Sequence, residues 1–356
     1  MRARRFLEAT TALATALTLL LVLAVSAEAQ RRRTPELESV KTSTAPQLDG
    51  EVDEVWANAE TLEIEVDELP YESNTYDGIT ETTVRARSLY DGEYVYFLFQ
   101  WDDPSKSLAR YPWIKQDDGS WKQKKNKDQT NHENTYYEDK FAVLWDINTD
   151  GFNKKGCGVA CHKARDGQIN GYDAGSPGRK FTDNPGEFLD AWHWKSVRTG
   201  PVGQVDDKHF DHTPKPGWGR KGDNKTGGGY SDNVDKENNR PKFMSSEPLE
   251  EDQYWIHMEN AVPFDDSKFK PGDMVPAMLV SPFQGARGEV LAEARWEDGT
   301  WTLEVRRKLV TTGPKSKQHD VQFDDLKKDY YFGVAVFDNT QIAHVYHEGA
   351  KKLVFK

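Results

Sequence analysis

Cysteine is nearly missing from this chain of 356 residues, which holds only Cys157 and Cys161. A disulfide framework of the kind that holds small exported domains is therefore excluded, as is a four-cysteine zinc site. Beyond the first 30 residues no run is long and apolar enough to cross a bilayer. No segment keeps a 3.6-residue apolar period for long, which argues against a helical bundle, and no repeat of fixed length recurs. Positive charge is in deficit: 47 Lys and Arg stand against 59 Asp and Glu, a formal charge of −12. That balance argues against nucleic acid or an anionic membrane surface as partner, and suits docking on a basic protein.

Aromatic residues, by contrast, are plentiful: 11 Trp, 14 Tyr and 16 Phe suit a β-rich core. Residues 61–66 alternate Leu62, Ile64 and Val66, as a half-buried strand does. Residues 82–90 and 93–101 flank Asp91-Gly92, a two-residue hairpin turn. Residues 94–99 are apolar on both faces, which predicts a central strand covered on both sides. A second hairpin is predicted over 290–296 and 301–307, around Asp298-Gly299. Residues 140–146 (with Phe141, Val143 and Trp145 on one face), 190–198, 254–262, 330–337 and 351–355 add further strands. The turn Asp49-Gly50 precedes a short helical turn on Val55, Trp56 and Ala59; Asp49, Asp53 and Glu54 read as turn and surface carboxylates. The polar stretches 102–138 and 204–243 read as surface insertions. The expected fold is all-β: an antiparallel β-sandwich over residues 46–356, with long loop insertions and few short helices.

At the N-terminus, Arg2, Arg4 and Arg5 precede an apolar run over residues 9–25, and Ala27-Glu28-Ala29 follows. This predicts a secretory signal peptide over residues 1–29, cut after Ala29. The competing reading, a membrane anchor, is weakened by Thr10, Thr11, Thr15 and Thr18 and by the shortness of the run. Residues 30–45 are expected as a flexible lead-in. The mature chain is expected to be periplasmic or otherwise exported, with no transmembrane segment after cleavage.

The two cysteines lie in Cys157-Gly158-Val159-Ala160-Cys161-His162. Two thiols followed at once by His is the arrangement that attaches c-type haem: each thiol adds to a vinyl group and the imidazole faces the iron. The gap is three residues rather than the usual two. Other readings stand beside it. A disulfide would close a very short loop against a demanding geometry. Zinc would need histidines to complete its shell. Plain buried cysteines would not call for a neighbouring His. With haem present, His162 is the proximal iron ligand, and His193, His257, Met258, His344 and His347 are candidates for the sixth position. Asp146-x-Asn148-x-Asp150-Gly151 copies the start of a calcium loop, but its twelfth position is Cys157 instead of Glu. It reads as a tight turn, and calcium stays a secondary cofactor. Asp206-Asp207 is too isolated to support acid/base chemistry, and no catalytic residue is assigned.

Three stretches carry a family resemblance: Leu48-Asp49-Gly50-Glu51-Val52-Asp53-Glu54-Val55-Trp56, Asp190-Ala191-Trp192-His193-Trp194-Lys195, and Phe332-Gly333-Val334-Ala335-Val336-Phe337-Asp338-Asn339. They are similar to carbohydrate-binding-module-family-9-like sandwiches, and to the haem-binding gamma subunits of ethylbenzene dehydrogenase and dimethylsulfide dehydrogenase. The resemblance implies a haem-binding β-sandwich that passes electrons to a redox partner, beside a molybdenum enzyme and iron–sulfur subunits. Those relatives hold b-type haem with Met and Lys. Here Leu144 stands where the Met is expected and the cysteine motif follows, so the chain resembles a c-type branch. The resemblance puts His344 first for the distal position and His193 second. Two imidazoles would leave no open site and suit electron transfer. The expectation is one covalent haem c in an electron-transfer protein, as a subunit or a soluble carrier. The alternatives are an exported carbohydrate-binding sandwich with a Cys157–Cys161 disulfide and Trp and Tyr stacked on sugars, or a catalytic haem protein with an open distal side.

Overall fold

The computed structural model describes residues 34–70, 72–161, 168–169, 172–173, 180–214 and 219–356. The predicted signal peptide and His162 lie outside the described residues. One large sheet dominates. In chain order its strands are β1 (Glu36–Lys41), β2 (Leu62–Val66), β3 (Thr82–Tyr90), β4 (Tyr94–Asp102), β5 (Lys140–Asp146), β6 (Leu189–Lys195), β7 (Asp206–Phe210), β8 (Arg220–Gly222), β9 (Leu291–Glu297), β10 (Thr300–Lys308), β11 (Tyr330–Phe337), β12 (Val345–Tyr346) and β13 (Lys351–Phe355). Their spatial order is β8-β7-β6-β5-β11-β13-β1-β3-β4-β10-β9, with β2 added to β3 and β12 to β11.

The sheet curls until its two halves face each other. Rings far apart in strand order touch: Phe97 on β4 meets Trp145 on β5 at 5.5 Å and Trp192 on β6 at 5.7 Å, centroid to centroid. Phe99 meets Phe141 at 4.8 Å. The two ends of the sheet also join. The Val205 amide donates to Val290 at 2.9 Å and the Ala292 amide to Gly203 at 3.0 Å. Period-two alternation sends Phe141, Val143 and Trp145 of β5, and Trp192 and Trp194 of β6, into this shared core. As predicted, β4 is covered on both faces: its other side packs Tyr96 and Leu98 on Trp56 and Leu89. The β3–β4 turn forms because the Asp91 carboxylate accepts the amides of Glu93 and Tyr94, both at 2.7 Å.

Four expectations need correction. Residues 36–41 of the lead-in are not flexible: they form β1, which runs parallel to both β13 and β3. Leu37 and Ser39 are its buried positions, and the edges of two neighbours supply its backbone partners. Pairing is therefore mixed, with residues 255–257 also parallel to 278–280. The insertion 102–138 carries a small sheet of its own, Trp113–Lys115 with Trp121–Gln123 and Met274–Val275, because Trp113 and Trp121 build a local core. The insertion 204–243 opens with β7, a member of the main sheet. Its Asp-Asp-Lys-His sequence reads as loop, yet those polar groups are buried and partnered there. The strand expected over 254–262 is broken by a 3-10 turn at Met258–Asn260. Helix is confined, among the described residues, to α1 (Phe152–Lys155), α2 (Ser316–His319) and 3-10 turns; no described helix is long and apolar enough to cross a membrane.

Candidate functional site

The outer face of β6, β5 and β11, opposite the aromatic core, is a bed of small residues. In register across the three strands lie Ala191, Leu144 and Gly333, and next to them His193, Ala142 and Ala335. Over this bed the chain leaves β5 through a turn in which Asp146 Oδ1 accepts the Thr149 amide at 2.8 Å. The Asn148 side chain donates to the Gly186 carbonyl and accepts the Phe188 amide, so the calcium-like stretch serves as a turn held by side-chain-to-backbone hydrogen bonds. Gly151 then adopts φ 76°, a left-handed conformation that glycine accepts without strain, and α1 begins.

Gly156 (φ 53°) bridges its backbone to Gly349, and a Cβ there would run into the Gly349 carbonyl. Cys157 to Val159 continue as a 3-10 turn, and the Cys161 amide donates to the Cys157 carbonyl at 2.8 Å. The two cysteines thus sit one helical turn apart on one side. Both are buried and neither is in a disulfide. That both are free thiols counts against the Cys157–Cys161 disulfide of the carbohydrate-binding alternative. Burial pushes the Cys157 thiol well up, so it is no thiolate nucleophile.

Between motif and bed lies a small cavity of about 50 Å³, below the ~300–1,000 Å³ of small-molecule sites, so a larger ligand would have to displace the motif that covers it. Both cysteines, His193, His344, Phe337 and Tyr346 line it. His193 projects from β6; burial, then Lys195, Lys140 and other cations, hold it well below its ordinary pKa, so it is neutral. Its Nε2 is buried and meets no hydrogen-bond partner among the described residues. His344 Nδ1 lies 2.7 Å from the Ile342 carbonyl, which makes Nδ1 the protonated nitrogen, and its ring stacks on Phe337 at 4.5 Å.

The other three candidates are not brought in. His347 Nε2 already accepts the Val334 amide at 3.1 Å, and burial takes its pKa to about 4. His257 and Met258 belong to the region of the three-stranded sheet of residues 227–232, 255–257 and 278–284, away from the cavity lining. Three cations also line the cavity, which sequence reading missed: Lys180, Lys208 and Arg220. Lys208 alternates onto this face of β7, 2.9 Å from Asp206, and burial takes it down to about 8. Asp206 is a buried hub that also binds Lys195, Arg287 and the Tyr230 hydroxyl. The sequence carries no alternation that would reveal it: residues 206–210 are four polar residues followed by Phe210, which reads as loop.

An imidazole nitrogen without a partner among the described residues, a thiol pair one turn apart, a bed of small side chains and a cationic border are features that a planar, apolar ligand with acidic groups at one edge would need. Gly333 supports the same fit: a Cβ there would lie 2.6 Å from Cys157 Sγ, so the bed is bare where the motif presses on it.

Among solved structures the chain is similar to a carbohydrate-binding module of family 9 from Caldicellulosiruptor kristjanssonii in complex with glucose (9% identity, 90% of this chain and 95% of that one, TM-score 0.33). It is similar also to a module of that family and organism in complex with cellotriose (11% identity, 90% and 94%, TM-score 0.32). No protein of curated function matches the chain. A family model, described as ethylbenzene dehydrogenase, matches residues 53–349. That span takes in the cysteine motif, the three strands under the cavity and both imidazoles that line it, and on this match the chain belongs to the ethylbenzene dehydrogenase family.

Proposed function

We propose that the chain is an exported mono-haem c-type cytochrome that transfers electrons, as the haem subunit of a molybdenum-type oxidoreductase or as a soluble carrier. The observation that carries this reading is the shared cavity: two buried thiols one turn apart face the same space as two imidazoles. Cys157 and Cys161 would form the thioether bonds, and His162 would be the proximal ligand. Bound there, the haem supplies a one-electron couple at its iron. The chain's own residues do the rest. Ala142, Ala191, Gly333 and Ala335 would present a bare face to a flat ring system, with Leu144 beside them. Lys180, Lys208 and Arg220 would hold the acidic edge. His193 and His344 compete for the sixth position. His193 brings a buried Nε2 with no partner among the described residues, and His344 a tautomer set by the Ile342 carbonyl. Two imidazoles around one metal favour electron transfer over chemistry at an open site.

A carbohydrate-binding role would need Trp, Tyr or Phe rings presented as sugar platforms; the described rings that reach the surface, Trp255 and Trp296 among them, are half-buried. The deciding experiment uses protein made in a host with c-type maturation machinery, denatured and extracted with acid acetone. A c-type pyridine haemochrome that stays with the polypeptide is the expected result. Colourless protein from that host overturns the proposal.

A further inference from the structure

β7 has two faces. Lys208 and Phe210 border the cavity, while Asp207 and His209 alternate to the opposite side. On that side His209 Nδ1 contacts Asp223, which follows β8. His319, the last residue of α2, brings its Nδ1 to 3.7 Å from the same Asp223 oxygen. The two imidazoles stack at 3.5 Å with 17° between their planes. The donor atoms of His209, Asp223 and His319 all lie within 4.8 Å of one another, and so do carboxylate oxygens of Asp207, Asp223 and Asp320. All five residues are buried.

A second, independent observation points to a ligand. Asp207, 1% exposed, keeps an oxygen, Oδ1, that no donor among the described residues satisfies, while Asp320, 2% exposed, shares a side-chain hydrogen bond with the Asp223 carboxyl. An unsatisfied buried carboxylate oxygen is costly and calls for a partner. Arg307, the guanidinium beside Asp190, Asp207 and Asp320, makes no hydrogen bond to them among the described residues, and burial together with mutual repulsion pushes all three carboxyls above their ordinary range, as acids crowded without a bound cation would be.

We propose that His209, Asp223 and His319 hold a divalent transition metal ion of the zinc class, with Asp207 or Asp320 completing its shell. Two imidazoles with carboxylate select zinc and the later first-row ions over calcium or magnesium. The ion would tie together three segments distant in sequence, the strand β7, the chain after β8 and the end of α2, so its binding would stabilise the fold.

The test is zinc binding by the full mature chain after chelator treatment, read as zinc per polypeptide by elemental analysis and as affinity by chelator competition. The expected result is one zinc per chain that excess calcium does not displace, with affinity lost at least about tenfold in His319→Gln and in Asp223→Asn. His257→Gln, on a different sheet, should bind as the wild type does. Zinc should raise the melting temperature of the wild type and leave both site variants unmoved. Asp223→Asn is close to isosteric and keeps the test valid if His319→Gln fails to fold. No retained zinc, zinc held equally by both site variants, or displacement by calcium would overturn the assignment.

Discussion

Gly333 is glycine because of Cys157. Its φ is unremarkable; what it lacks is space, since a Cβ would lie 2.6 Å from the sulfur. Gly333→Ala should therefore cost roughly 1–3 kcal/mol, the usual penalty for overpacking. Urea melts will check it, and the Gly333→Ala/Cys157→Ala pair should recover most of the loss, because the second change removes the colliding atom. His347 makes a pH prediction. Its folded pKa of about 4 lies below the ordinary 6.5, because burial disfavours the imidazolium. Between those values the unfolded chain binds the extra proton and the folded chain does not. Stability contributed by this group is thus whole above the unfolded value and falls as pH drops from 6.5 towards 4, by roughly 2–4 kcal/mol. His347→Gln should flatten that part of the stability curve, and an unchanged slope would count against the assignment. For the cavity, His193→Ala and His344→Ala spectra separate the two imidazoles. The variant that converts the haem from low to high spin has lost the sixth ligand, and two unchanged spectra would leave neither in that role.

At the scale of elements, β1 deserves a deletion. It sits between β13 and β3 and supplies backbone partners to both, so a chain starting after Lys41 would bare two strand edges in the middle of a sheet. We expect that chain to aggregate in light scattering and to melt well below the wild type; an equal melting temperature would mean the sheet closes without it. β5 is the reverse case: it was legible from sequence. Its inner residues Phe141, Val143 and Trp145 meet the core, and Trp145→Ala should cost about 3–5 kcal/mol in denaturant melts. The contrast has a physical cause. The β3–β4 and β9–β10 hairpins are local, with an Asp-Gly turn and alternation on either side, so a short window of sequence contains the whole signal. β1 and β7 are short and polar, and are strands only because partners from far along the chain leave them an edge. The same holds within the site. The cysteine pair and the candidate histidines are chemically distinctive in any context. Lys180, Lys208 and Arg220 are ordinary cations until the sheet brings them to one cavity, and Gly333 is an ordinary strand glycine until Cys157 arrives.

At the scale of the molecule, under the proposed electron-transfer role, the charge of −12 predicts that association with a basic partner would weaken as salt rises, once the ~10 Å screening length at 0.1 M is reached. Stopped-flow electron exchange across a salt series would read this, and a flat profile would remove electrostatics from the encounter. The backbone bridge between Gly156 and Gly349 has a consequence of another kind, in time. The residues that cover the two thiols, Gly333 and the Gly349 turn, come from the far end of the chain. Were the chain exported from its N-terminus, as proposed, both sulfurs would be presented before their cover had crossed. Any enzyme that must grip those sulfurs would have that interval in which to work, and the finished sheet would end it.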